Sequence, residues 1–187
     1  PDGRSARSPL GGMLYDVGPF LPSRYSRGMD GTFDVMTQAL KVGGLAAALR
    51  VLNDRIQHRF SAVYHLQGQD RLFNLALVDK RGEPCPAYLK NVPYDESFCQ
   101  FAVREGQFRT DNSALDERLA GHPYRGIMNS YHSVPLVSTE GRILGTVCHF
   151  DLAAFALDDE DFELLRLAAR VFATYVPRAA THVSSHD

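Results

Sequence analysis

Cysteine is scarce in this chain and badly spaced for shared duty. Its 187 residues hold three, Cys85, Cys99 and Cys148. They are odd in number, widely separated and without a Cys-x-x-Cys pair, which excludes a disulfide framework and a structural zinc site. Reduced thiols are expected. Concentrated positive charge is also missing: the formal charge is -2, and no Lys/Arg-rich block offers the patch that phosphate neutralisation needs, so nucleic acid is excluded as the main partner. Arg4, Arg7, Arg24 and Arg27 near the start read as a solvated arm. No apolar run near the roughly 20 residues of a bilayer span and no signal-peptide core is evident, so a membrane partner is not expected and a cytoplasmic location is. There is no Gly-rich phosphate loop ahead of a helix. His122 and His132 are too far apart for a helical metal pair and carry no carboxylate-histidine motif, so no metal site is assigned.

What is present suffices for one domain. A chain that is 44% hydrophobic buries one substantial core at this length, and a second folded domain is not expected. Residues 1–29 carry four prolines and five glycines and read as an extended arm, residues 30–177 as the domain, and residues 178–187 as a short polar tail. The start at Pro1 in place of Met reads as a fragment or a processed chain. From Asp30 to Arg59 apolar residues recur at helical steps, with Asp30 as the cap and Gly43-Gly44 predicting a kink or a close approach. Ser61 to Leu66 and Leu72 to Val78 read as strands joined by a polar turn. The proline-broken Asp79 to Pro93 leaves space for one short strand around Tyr88 and Leu89. Ser97 is expected to cap a helix from Phe98 to Glu105 that Gly106 ends, followed by an extended Phe108 to Thr110 and a short helix from Ser113 to Ala120. Asp158 caps a final helix, with Asp159 and Glu160 at the favourable end of its dipole.

Between these helices, Ser130 to Asp151 reads SYHSVPLVSTEGRILGTVCHFD. Two apolar, β-branched runs flank a Thr139-Glu140-Gly141-Arg142 turn, the pattern of a β-hairpin. The second run is apolar on both faces and so belongs inside a sheet, and Gly145 within it predicts the close approach of another backbone or a ligand.

This hairpin, with SFCQFAVREGQ at Ser97 to Gln107, Asp111 and LDERLAGHP at Leu115 to Pro123, resembles the second half of a GAF domain, a small-molecule-binding regulatory module. The resemblance spans roughly Ala39 to Val176. It implies an α+β, PAS-related fold: a central antiparallel sheet of five or six strands, the N- and C-terminal helices on one face, and loops and short helices over a ligand pocket on the other. The pocket residues it implies are Phe73, Tyr88, Phe98, Cys99, Asp111, His122, Tyr124, Met128, Tyr131, His132 and His149. Aromatics would form apolar walls, while His, Asp and Tyr would supply directional polar groups. The plainer reading makes Phe73 and Phe98 core and His149 a satisfied sheet histidine, while Asp111 either caps the next helix or faces the pocket.

Family branches narrow the function. The branch that reduces free methionine sulfoxide with cysteines has one at the position of Cys99, but its reacting cysteine lies in the loop before the hairpin. Here that loop reads HPYRGIMNSY. The Asn-Lys-x-Phe-Asp-Glu signature of cyclic-nucleotide binders does not occur. Cys99 and Cys148 read as small buried hydrophobes in place of pigment anchors. The expectation is therefore a sensory domain without catalytic residues, with an unidentified small organic ligand and no assigned cofactor. The alternative is an interaction module whose pocket is filled by side chains. The last helix carries two apolar stripes, Phe162, Leu165, Ala169 and Phe172 beside Leu164, Leu167, Val171 and Tyr175. That arc is wider than one sheet contact requires, so a homodimer through the terminal helices is expected, or a monomer whose arm covers the spare face. With no output domain in view, a signal would leave by association or through a further part of the chain.

Overall fold

The computed structural model describes residues 27–177, with side chains from residue 31. The tail and residues 1–26 of the expected arm lie outside the described residues. Helix α1 (Arg27–Asn53) starts earlier than Asp30 and ends six residues before Arg59. It stops because Asn53 turns its amide away from the helix surface: Nδ2 donates to the His58 carbonyl at 3.2 Å and to Ser61 Oγ at 2.7 Å, tying down the loop into the sheet. The expected break is at Gly44, whose φ of 70° and ψ of -166° leave helical space. Contrary to the expectation from hydropathy, Gly31–Asn53 is long and apolar enough to cross a bilayer. In this fold its Met36, Leu40, Ala48, Leu49 and Leu52 join the core.

Strands β1 (Phe60–Gln67) and β2 (Arg71–Asp79) form the first hairpin. The segment expected as a strand around Tyr88 and Leu89 is instead a helical turn, α2 (Ala87–Lys90), which follows Pro86 and leads into strand β3 (Asn91–Pro93). Leu89 N–H donates to the Pro86 carbonyl at 3.0 Å, closing the turn that the fixed proline φ initiates. Helix α3 (Cys99–Glu105) ends at Gly106 with φ 80°, as expected. Ser97 does not cap it: its hydroxyl donates backwards to the Tyr94 carbonyl at 2.8 Å. Strand β4 (Phe108–Thr110) follows. The single helix expected from Ser113 to Ala120 is two 3-10 turns, Ser113–Leu115 and Glu117–Leu119, because Asp116 leaves helical conformation and accepts from Arg118 N–H to start the second turn. Strands β5 (Ser130–Val137) and β6 (Ile143–Asp151) form the expected hairpin. Helix α4 (Asp159–Phe172) is capped by Asp158, which accepts from Asp161 N–H at 2.7 Å.

The six strands form one antiparallel sheet in the order β3-β2-β1-β6-β5-β4. Both faces are covered. On one, α1 and α4 pack over Val63, Val78, Val134, Leu136 and Val147. On the other, α3 and the loops pack over Phe60, Ala62, Tyr64, Tyr131, Cys148 and Phe150. Each fully buried Leu or Phe adds about 1.5–3 kcal/mol relative to exposure. The wide apolar arc of α4 is consumed largely within the chain: Leu164 is buried with Leu165 and Phe172, and Leu167 and Val171 remain half-buried. Arg55, just past α1, binds Asp161 at 2.7 Å and Thr32 Oγ1 at 2.9 Å, fastening the first turns of α1 and α4 together.

Candidate functional site

Alternation along the central strands puts every second side chain under α3 and the loops. Tyr64 on β1, Tyr131 on β5 and Phe150 on β6 thus share a floor, while Phe98 and Cys99 descend from the start of α3. Leu72, Leu89 and Val92 close one side, and Tyr124 and Met128 the other. Together with Tyr88 and Ser97 they enclose a cavity of about 60 Å³. No lining residue is Asp, Glu, Lys, Arg or His. Tyr88, 70% exposed, stands at the mouth.

The polar atoms at the floor meet at one sulfur. Cys99 Sγ lies 2.9 Å from Tyr131 Oη and receives the Thr146 hydroxyl at 3.0 Å. Burial raises the Cys99 pKa, but hydrogen bonds from Cys148, Thr146, Tyr131 and Ser97 outweigh it and bring the thiol down to about 7. Burial pushes Cys148 and Tyr131 well up. It also raises Cys85, against a smaller opposite pull from Lys90. The reactive form of a thiol is the thiolate. Access opposes this: Cys99 is 2% exposed, whereas Cys85 is only half-buried, so N-ethylmaleimide at pH 7.5 is expected to alkylate Cys85 before Cys99, read by peptide mapping of partly labelled protein. Earlier labelling of Cys99 would show that the cavity opens to solvent in the folded protein.

Six of the eleven expected pocket residues, Tyr88, Phe98, Cys99, Tyr124, Met128 and Tyr131, border this cavity. The other five do not. Phe73 follows Leu72 on β2, and strand alternation turns it from the cavity face. His122 packs behind Phe98, ring centroids 4.6 Å apart, and its Nδ1 accepts from Tyr124 N–H. Asp111 is 61% exposed at its side chain, neither capping the next turn, which Asn112 does, nor facing the cavity. His132 and His149 lie on the helix face, because Tyr131 and Cys148 beside them take the cavity face. Cys148-His149, the one Cys-His dipeptide in the chain, is thus split across the sheet. Tyr64, Leu72, Leu89, Val92, Ser97 and Phe150 were not expected at the site. The signal for the strand members was the two-residue spacing that aligns them with Ala62 and Cys148.

On the helix face, His58, His132 and His149 form a second cluster. The His58 and His132 rings meet edge to face at 4.9 Å, and His58 and His149 are 6.4 Å apart. Asn53 donates to Ser61 Oγ, which also lies at hydrogen-bond distance, 2.7 Å, from His149 Nδ1. Both ring nitrogens of His58 and Nδ1 of His132 are buried without a partner. Burial first, then neighbouring imidazoles, lowers His58 to about 4 and His149 well below its usual range, and burial lowers His132 to about 4. Among the described residues no group of three His, Cys, Asp or Glu is arranged to hold a metal. A broader, open hollow beside β4 is lined by Arg109, Asp111, Asp116 and Arg118. Its arginines are already paired, Arg109 with Asp159 and Arg118 with Asp116.

No family model matches the sequence, and no curated protein matches it. Solved structures do. The GAF domain of an Acinetobacter phosphoenolpyruvate-protein phosphotransferase superposes with a TM-score of 0.66 at 14% identity, over 81% of this chain and 94% of that one. A putative GAF sensor protein from Burkholderia vietnamiensis gives 0.59 at 17% identity, over 78% and 93%. A free methionine-R-sulfoxide reductase from Neisseria meningitidis, solved with its substrate, gives 0.60 at 18% identity, over 81% and 91%. These TM-scores and the near-complete coverage of these domains agree with the resemblance carried by the hairpin and the SFC segment: the chain has the GAF-domain fold.

Proposed function

We infer that the protein is a regulatory, non-catalytic domain that senses a small organic molecule in the cavity beneath α3 and signals through α1 and α4. The observation that carries this reading is the cavity itself, closed by loop residues and floored by the strands whose other face supports both terminal helices. A ligand wedged between Phe98 and the floor would bear on β1, β5 and β6 at once, and a change in their position would reach α1 and α4. Signalling also requires that the ligand bind two arrangements with different affinity. The terminal helices leave apolar residues uncovered, Val35 and Val42 on α1 and Tyr175 past α4, which supports assembly of two copies through this side.

Two structural neighbours are free methionine-R-sulfoxide reductases. A free amino acid carries both charges at neutral pH, and burying either without a partner is costly. With no Asp, Glu, Lys, Arg or His in the lining, a Cys99 thiolate would face the ammonium group alone and the carboxylate would have no partner, which argues against that substrate, and no turnover of methionine-R-sulfoxide is expected in an assay with a thiol reductant. A second reading has its own support: about 60 Å³ among twelve lining side chains is small for an organic ligand pocket, as an interaction module with a filled pocket would have. Native mass spectrometry separates the two. A dimer carrying mass that denaturation releases is expected; a bare dimer that takes up no small molecule would favour the interaction module, and a bare monomer would remove both.

A further inference from the structure

The thiols at the cavity floor are arranged for more than ligand contact. Cys99 lines the cavity, and three side chains from the same face of the sheet meet its sulfur. Thr146 Oγ1 donates to it at 3.0 Å, Tyr131 Oη lies 2.9 Å away, and the Cys148 thiol hydrogen-bonds to it. Thr146 and Cys148 are two residues apart on β6, so strand alternation puts both on the face that α3 covers. Cys148 is 0% exposed and lies behind Cys99, outside the cavity lining. A reagent entering the cavity thus meets Cys99 first, with a second thiol already in contact with it. The hydrogen bonds at Cys99 favour its thiolate, while burial keeps Cys148 protonated.

Size selects the reagent. About 60 Å³ holds roughly four waters at about 15 Å³ apiece, which admits hydrogen peroxide, with its two oxygens, and refuses the ring of N-ethylmaleimide. We propose that Cys99 is a site of oxidation by hydrogen peroxide and that Cys148 resolves it, giving a disulfide between the start of α3 and β6. The Cys99 thiolate attacks one peroxide oxygen: the S–O bond forms, and the O–O bond breaks with its electron pair on the departing hydroxide. The proton lost by the Cys99 thiol turns that hydroxide into water. Cys99 is now a sulfenic acid, oxidised by two electrons. The Cys148 sulfur attacks it, the S–S bond forms, the S–O bond breaks, and the hydroxide leaves as water with the Cys148 proton. Two thiols and one peroxide become one disulfide and two waters. The bond fixes the first residue of α3 to the centre of the sheet, a change of state that is independent of the ligand reading above.

The full chain treated with a slight excess of hydrogen peroxide at pH 7.5 tests this, with catalase added before the remaining thiols are alkylated under denaturing conditions and mapped. Cys99 and Cys148 are expected to be joined, and Cys85 to oxidise at least about tenfold more slowly. That order is the reverse of the one expected for N-ethylmaleimide. Cys148→Ser should leave Cys99 as the sulfenic acid, one oxygen heavier by mass. Thr146→Val, with circular dichroism confirming the fold, should slow loss of the Cys99 thiol about three- to tenfold, the worth of one hydrogen bond. Should either variant fail to fold, the wild-type chain still decides. Cys85 oxidised first, Cys148 still free once Cys99 has been oxidised, or no oxidation at all overturns the inference.

Discussion

Gly145→Ala is expected to destabilise the protein by more than about 4 kcal/mol, a large share of the roughly 5–15 kcal/mol that holds a domain folded. Gly145 sits in β6 opposite His65 of β1, with φ of 156°. A Cβ built there would stand 1.9 Å from the Tyr64 carbonyl oxygen, 2.8 Å from its carbon and 3.0 Å from His65 Cα. All three are backbone atoms of the neighbouring strand, so no side chain can swing aside. Relief requires β1 and β6 to part at the centre of the sheet, where Tyr64 contributes to the cavity floor. Gly141→Ala is the control. Gly141 also has positive φ, 77°, but lies in the exposed hairpin turn, where the substitution should cost about 1 kcal/mol. Urea unfolding of both variants measures the difference. A Gly145→Ala protein as stable as Gly141→Ala would mean that β1 and β6 do not pair in this register.

That glycine was legible in the sequence because a lone Gly inside a continuous apolar strand has few explanations other than close backbone approach. The hairpin, the Gly44 break, the Gly106 stop and the Asp158 cap were legible for the same reason: each depends on a residue whose own backbone preference or short side chain decides the local geometry. Where partners were distant the local signals misled. Ser97 has the right type to cap α3 but donates to Tyr94, and Asp116 interrupts what reads as one short helix. The turn at Ala87–Lys90 is hidden among prolines that suit turns and strand edges equally.

The site divides along the sheet. Residues on irregular segments, Tyr88, Tyr124 and Met128, were placed near the cavity because long connections inside a small domain cover something. The strand residues depended on which face each parity takes, and residue type does not reveal that. Tyr131 and His132 are neighbours of similar polarity and size, yet one floors the cavity and the other lies beneath the helices. His58 gave no signal at all. It lies in the polar stretch Asp54 to Arg59, which composition marks as surface, and it is 0% exposed because Asn53 folds that stretch back against β1.

Its burial has a large consequence in acid. In the unfolded chain the three histidines titrate near 6.5, whereas in the fold burial lowers His58 and His132 to about 4 and His149 well below its usual range. Below pH 6.5 the unfolded chain therefore binds more protons than the folded one, so stability is fully present above pH 6.5 and falls as pH drops toward 4. Between pH 7.5 and 5.0 the loss is on the order of 2 kcal/mol for each of His58 and His132, and His149 adds to it in the same direction. Burial and the neighbouring imidazole outweigh Asp151 at His58, where Lys80 also opposes protonation. Lys80 opposes protonation of His149 too. At His132 burial outweighs the Phe155 carbonyl, and Arg109 opposes protonation while the exposed Asp111 carboxylate, 3.5 Å from Nε2, favours it. His58→Leu tests the account. Leucine removes one titrating group and two ring nitrogens buried without partners, while the residue 58 carbonyl still accepts from Asn53. At pH 7.5 the variant is expected to be about 1–2 kcal/mol more stable than wild type, since an unsatisfied buried polar group costs at least that much. At pH 5.0 the gap should widen by a further ~2 kcal/mol. Urea unfolding at the two pH values gives both numbers. Equal acid sensitivity in variant and wild type would show that His58 is protonated in the folded state, and that its ring does not lie buried against His132.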